Sequence, residues 1–236
     1  MGSRGKWRDD SVSTVFVEEQ GFENVLLRYK IRAVLPFVMG PSVLDVGCGV
    51  GILTEELARR FDAVVGIDAS TAKIEKARQR GAAVSFVAAS FERWEPTQSF
   101  STIVTTNVLE HVASPEAFLS KCREILLPRG RLIVTVPNAL ALHKRLGRAM
   151  GLITDFYALT DADREKGHFR IYDRSALETD VTRSGFEVVY SGGILLKPLS
   201  HRQMESWDSR VVDALFEVGE ELPDYCSSLL LVADRS

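Results

Sequence analysis

The chain has 236 residues, of which 45% are apolar and 26% charged. That balance is the one expected of a water-soluble globular domain, and it excludes a disordered tail, a collagen-like repeat and a disulfide-stapled miniprotein. With 29 basic against 32 acidic side chains the formal charge is −3, so no broad nucleic-acid footprint is expected. Cysteines stand at 48, 122 and 226, a scatter that makes neither a disulfide framework nor a spaced metal site; no metal is expected. No apolar run is long enough to cross a bilayer, and the polar start, Met1 to Asp10, is not a secretory signal. A cytoplasmic protein is the expectation.

Along the chain, Val25, Tyr29, Ala33 and Phe37 recur every fourth residue and predict a helix over 23–39, stopped by Gly40-Pro41. Ser42 to Val46 is a first strand ending in Gly47-Cys48-Gly49-Val50-Gly51, and Ile52 to Arg60 a helix with Leu53, Leu57 and Ala58 on one face. Ala63 to Asp68 is a second strand, after which Ser70 caps a helix running to about Arg80. Strands follow at 84–87 and 102–106, then a helix opened by Ser114-Pro115 and stopped at Pro128-Arg129-Gly130, then a fifth strand at 131–136. This alternation means right-handed crossovers and a parallel sheet. Beyond Pro137-Asn138 the pattern breaks: 139–170 carries no strand signal, Asp173 caps a helix stopped by Gly185, and strands at 186–190 and 228–232 flank a helix-prone stretch near 201–220.

The glycine-rich turn carries the most information, because glycine lets a backbone bend sharply and approach a ligand closely. A nicotinamide or flavin fingerprint would need glycine at 52, where the chain has Ile52, and Asp45 just ahead of the turn repels a pyrophosphate. An NAD-dependent oxidoreductase is therefore disfavoured, and Asp45 suits a cationic ligand. Asp68, at the tip of the second strand, is placed to accept hydrogen bonds from both hydroxyls of an adenosine ribose. An adenosine at one end and a positive charge at the other describe S-adenosylmethionine.

Leu44 to Gly51, Val65 to Asp68, Val108-Leu109-Glu110-His111-Val112 and Leu127 to Leu132 together resemble the successive motifs of class I S-adenosylmethionine-dependent methyltransferases, similar to the ubiquinone-biosynthesis O-methyltransferases. The likeness is good over 25–136 and looser elsewhere. It implies that Asp45 and the turn Gly47, Cys48, Gly49 and Gly51 hold the methionine part, with Asp68 on the ribose, Ala69 against the adenine and Asn107 near the methionine. The family often has an acid after its third strand; here Ala88-Ala89-Ser90-Phe91 stands there, leaving Ser90 or the Phe91 backbone for the adenine.

Methyl transfer needs a base only when the acceptor must lose a proton. The candidates are His168, in the segment Gly167 to Tyr172, and His111, for which orienting the loop is the alternative role. Arg170 and Tyr172 are expected to meet an anionic or hydroxylated substrate, an exposed ion pair being the alternative for Arg170; Lys197 and His201 are expected to close over the acceptor. His143-Lys144-Arg145 with Arg148 makes a basic face on an amphipathic segment that reads as a solvated helix face, contact with a membrane surface or an acidic substrate being the alternative.

The expected whole is one α/β domain over 1–236, Rossmann-like, with helices on both faces of a seven-stranded sheet of order 3-2-1-4-5-7-6 and an antiparallel last strand. Segments 11–39, 139–172 and 194–220 are expected to cover the site as a helical lid. The expected reaction uses S-adenosylmethionine, yields S-adenosylhomocysteine and methylates an oxygen or nitrogen of a small molecule, without nucleic acid or stable membrane insertion, in a monomer or homodimer. A non-catalytic binder of the same cofactor is the alternative from another class.

Overall fold

The computed structural model describes residues 22–81 and 84–236. The part of the expected N-terminal cover at 11–21 lies outside the described residues.

Helix α1 (Phe22–Val34) gives way to a single 3-10 turn at Leu35–Phe37 rather than running to 39. Pro36 brings no N–H and its ring crowds the preceding turn, so the α pattern cannot continue through it. Then come β1 (Ser42–Val46), α2 (Ile52–Ala58), β2 (Ala63–Asp68), α3 (Thr71–Gln79), β3 (Ser85–Ala88), β4 (Phe100–Thr106) and α4 (Pro115–Ile125). The second half holds β5 (Leu126–Pro137), α5 (Leu142–Ala149), α6 (Asp161–Glu165), α7 (Arg174–Arg183), β6 (Phe186–Ile194), α8 (His201–Met204), α9 (Ser209–Glu221) and β7 (Ser228–Arg235). Caps occur where short polar side chains precede helices: Ser70, Ser114 and Asp173 each accept from a backbone N–H three residues on.

The seven strands stand in the order β3-β2-β1-β4-β5-β7-β6, as expected. The first five pair in parallel, and β7 runs antiparallel between β5 and β6. β5 starts five residues earlier than its sequence pattern shows, with a register shift between Phe100 and Thr102 that absorbs Pro128-Arg129-Gly130; Arg129 takes φ 60° there. β6 runs four residues past Tyr190 because its edge finds a full partner in β7.

Apolar side chains cover both faces of the sheet, which is why the central strands read as nearly unbroken apolar runs. Leu132, Val134 and Leu231 point toward Phe118, Cys122, Leu177 and Val181 of α4 and α7. Their neighbours Ile133, Leu230 and Val232 point the other way, to Tyr29, Leu57, Val212 and Phe216 of α1, α2 and α9. Each fully buried aliphatic side chain contributes about 1.5–3 kcal/mol. Among the described residues no helix is long and apolar enough to cross a membrane. This sandwich leaves the C-terminal ends of β1, β2, β4 and β5 opening on one edge, where an α/β sheet presents its ligand crevice.

Candidate active site

At the end of β1 the chain turns through three left-handed glycines, Gly47, Gly49 and Gly51, at φ of 74°, 57° and 85°. The amides of Gly47 and Cys48 donate to the Ile67 carbonyl at 2.8 and 3.0 Å, stitching the turn to β2. A methyl group at Gly51 would stand 2.8 Å from the Phe86 ring and 3.0 Å from the Ala77 methyl, whereas at Gly49 it would meet nothing within 4 Å. Gly51→Ala is therefore expected to cost about 2–5 kcal/mol, strain plus overpacking, and Gly49→Ala only the left-handed strain of about 1–2 kcal/mol. Urea unfolding of the two variants checks that ordering.

The Gly49 amide donates to one oxygen of Asp68 at 3.0 Å, and the Ser70 amide to the other at 2.8 Å. Held this way, the carboxylate faces a cavity of about 350 Å³ whose wall includes Gly47, Ala69, Ser90, Phe91 and Asn107. Asp45, Cys48, Gly49 and Gly51 are not part of that wall. Asp45 is wholly buried, takes the Thr54 hydroxyl at 2.7 Å on one oxygen and leaves the other without a partner. Burial first, and Asp68 after it, push the Asp45 carboxyl up to about 7. Burial likewise pushes the Cys48 thiol well above its ordinary range, so no thiolate nucleophile is available there. An acid that the sequence reading passed over, Glu92, also lines the cavity and accepts the Ser90 hydroxyl. A nucleoside with a cationic amino-acid tail fits this lining: a fixed carboxylate at one end, and a bare glycine turn over an acid with a free oxygen at the other.

A second cavity of about 440 Å³ adjoins the first and shares Asn107, His111 and Lys166 with it. Asn107 sits at φ 55°, a conformation its short amide tolerates, and its side-chain oxygen accepts from Lys30 at 2.7 Å. His111 and His168 meet edge to face, ring centres 4.6 Å apart. His168 Nδ1 lies 3.3 Å from Asp163 Oδ1, and His111 Nδ1 3.3 Å from the Gly167 carbonyl. Burial lowers the pKa of both rings, and His111 lowers that of His168 further, so both are neutral at neutral pH. Glu110, buried beside them with both oxygens unpartnered, is pushed up to about 7 by burial against the pull of Lys30.

Three sequence expectations change here. Tyr172 does not meet a substrate: it is only 3% exposed, and its hydroxyl donates to Asp180 at 2.9 Å. Arg170 borders the cavity, but its guanidinium donates to the carbonyls of Leu109, Val112 and Ala113 rather than standing free or in an ion pair. It thus ties the segment 167–172 to the loop after β4. His143 and Lys144, read as solvated, face inward and line the second cavity. Lys197 and His201 line it as expected, so all four histidines of the chain surround one space. Only a helix's packing decides which of its polar side chains turn inward, and α5 has polar residues on most of its circumference.

A family model described as a methyltransferase domain matches residues 17–191. A ubiquinone biosynthesis O-methyltransferase from Chelativorans sp. (strain BNC1) is 33% identical over 201 residues, covering 81% of this chain and 75% of that protein. Another, from Nitrosococcus oceani, is 33% identical over 172 residues, 69% of this chain and 70% of that one. An S-adenosylmethionine-dependent methyltransferase from Mesorhizobium loti shares the fold with a TM-score of 0.68 at 21% identity, over 91% of this chain and 100% of that one. A magnesium protoporphyrin IX methyltransferase from Synechocystis PCC 6803, solved with bound SAH, does so with a TM-score of 0.62 at 18% identity, over 92% and 89%.

Proposed function

Because this chain belongs to the class I S-adenosylmethionine-dependent methyltransferases, we propose that it methylates a hydroxyl oxygen of a small molecule at the junction of its two cavities. The observation that carries this reading is that junction: the wall of the 350 Å³ cavity and the wall of the 440 Å³ one have Asn107 and His111 in common.

Bound in the first cavity, S-adenosylmethionine supplies a methyl group already activated on a sulfonium, for in-line displacement by the acceptor. Asp68 takes the ribose hydroxyls, with its carboxylate pre-set by the Gly49 and Ser70 amides. Glu92, on the same wall, takes the adenine edge. Gly47 lets the backbone lie against the methionine part, and a cation bound there favours the charged form of Asp45, buried beneath the turn.

His168 receives the proton that the acceptor hydroxyl gives up. The Asp163 carboxylate beside Nδ1 holds the ring and stabilises the imidazolium as it forms. His111 keeps the ring edge-on, and the Arg170 clamp closes the segment over the site and keeps water out. α5, α6 and the α8–α9 segment form the rest of the cover. Two neutral imidazoles where an acceptor must stand favour a hydroxyl, because a neutral amine attacks without first losing a proton. The curated relatives are O-methyltransferases as well.

Incubating the protein with methyl-labelled S-adenosylmethionine and a small-molecule extract is expected to yield a labelled product one CH₂ heavier than its precursor and short of one free hydroxyl. Cofactor binding with no label transferred across such extracts would support a non-catalytic binder instead.

A further inference from the structure

The second cavity is unusually cationic for a pocket that faces a sulfonium. Lys30, Lys144, Lys166 and Lys197 all reach its wall, against the acids Glu23 and Asp163. Those acids are engaged: Asp163 holds His168 and the Thr160 cap, and Glu23 lies 3.9 Å from Lys166 at the exposed rim. Lys30 is taken by Asn107.

Lys197 is different. It is only 7% exposed, and among the described residues its ammonium has no hydrogen-bond or ion-pair partner. The charges that act on it are those of Lys144 and Lys166, which with burial lower its pKa to about 8. Taking an ammonium out of water with only cations near it costs several kcal/mol unless an anion arrives. Beside it, His143 has a buried Nδ1 with no partner. His143 and Lys144 lie in the first turn of α5, which no side chain caps. The Lys144 amide already donates to the Ala141 carbonyl at 2.9 Å, but the positive end of the helix dipole favours an anion at that point. Its apolar lining comes chiefly from Leu26, Leu27, Pro137 and Ile171.

We propose that the methyl acceptor is a ring-sized anion whose carboxylate or phosphate oxygens are bound by Lys197, Lys144, His143 and the first turn of α5, which directs its hydroxyl toward His168. The proposal rests on the methyltransferase reading of the same site, and it makes Lys197 a specificity-determining residue.

The test uses the full chain saturated with S-adenosylhomocysteine at pH 7, where Lys197 is still mostly charged, and follows the four histidine ring signals by NMR. The probes are benzoate, its neutral counterpart benzamide, and inorganic phosphate at constant ionic strength. Benzoate or phosphate is expected to shift His143 and His201 saturably, at least about tenfold more tightly than benzamide; the tighter of the two names the anion. Lys197→Met is expected to weaken that binding about tenfold and leave benzamide and S-adenosylhomocysteine binding where they were. Lys144→Gln, on a less buried side chain, should weaken it several-fold and guards against misfolding of the first variant. Equal affinity for benzoate and benzamide overturns the proposal, as does parent-like anion binding in a Lys197→Met protein that still binds S-adenosylhomocysteine. Failure of the parent to bind S-adenosylhomocysteine would instead overturn the methyltransferase reading, and the anion titration still reports on the subsite.

Discussion

Asp68→Ala is expected to weaken S-adenosylhomocysteine binding by roughly a hundredfold or more while the protein stays folded. A hydrogen bond to a charged group contributes about 1.5–3 kcal/mol, and this carboxylate is placed for two ribose hydroxyls. The substitution also releases the Gly49 and Ser70 amides that now donate to it at 3.0 and 2.8 Å, so the glycine turn keeps only its backbone bonds to Ile67 of β2. Both amides lie at the solvent-accessible crevice and find water instead. The cost to folding is then about 1–2 kcal/mol, well inside the usual 5–15 kcal/mol margin. Asp68→Asn keeps one acceptor oxygen and should fall between the two. Titration calorimetry decides the matter: an alanine variant within threefold of the parent affinity would remove Asp68 from the cofactor site.

The second large effect is on turnover. His168→Ala is expected to slow methyl transfer about 10²–10⁴-fold and leave S-adenosylhomocysteine affinity unchanged, because general-base help is worth that much and the ring lines the acceptor cavity rather than the cofactor one. The pH profile separates a base from a structural histidine. Only the neutral imidazole takes a proton, so the parent's kcat/KM should fall as pH drops through the His168 pKa. That pKa lies below the ordinary histidine value because burial and His111 both oppose the charged form. The acid limb should vanish in His168→Ala. Glu110 titrates at about 7 nearby, and Glu110→Gln is expected to keep the limb, which assigns it to the histidine. Parent-like turnover in His168→Ala would sink the assignment.

Lys197 and His168 illustrate how the acceptor pocket is built. The first comes from the segment after β6, the second from the stretch between α6 and α7, with His143 on α5 and Lys30 on α1. No short-range pattern links such positions. Each was visible in the sequence as a polar residue, but its direction depends on how four separate elements are laid against one sheet edge. That is why Tyr172 and Arg170 were assigned to the acceptor when one anchors α7 through Asp180 and the other binds three carbonyls. The inward turn of Lys144 and His143 has no local signal for the same reason. Glu92 carries no local signal of its role, because a turn after β3 brings it back to the rim of the cavity.

The cofactor half was legible for the opposite reason. Strand, glycine turn, helix and strand-tip acid are local in the chain, and each follows from rules that act over a few residues: left-handed glycines at the turn, short apolar runs in buried strands, and short polar caps at helix starts. From these came the βαβ alternation and the placing of Asp68, whereas the strand order followed from the family resemblance. Tertiary packing alone decided which side chains of α1, α5 and the later loops share the second cavity, how far β5 and β6 extend, and which acids are left without partners. Those outcomes turn on burial and on charges brought together across more than a hundred residues of chain, and such energies exist only once the sheet has closed around its helices.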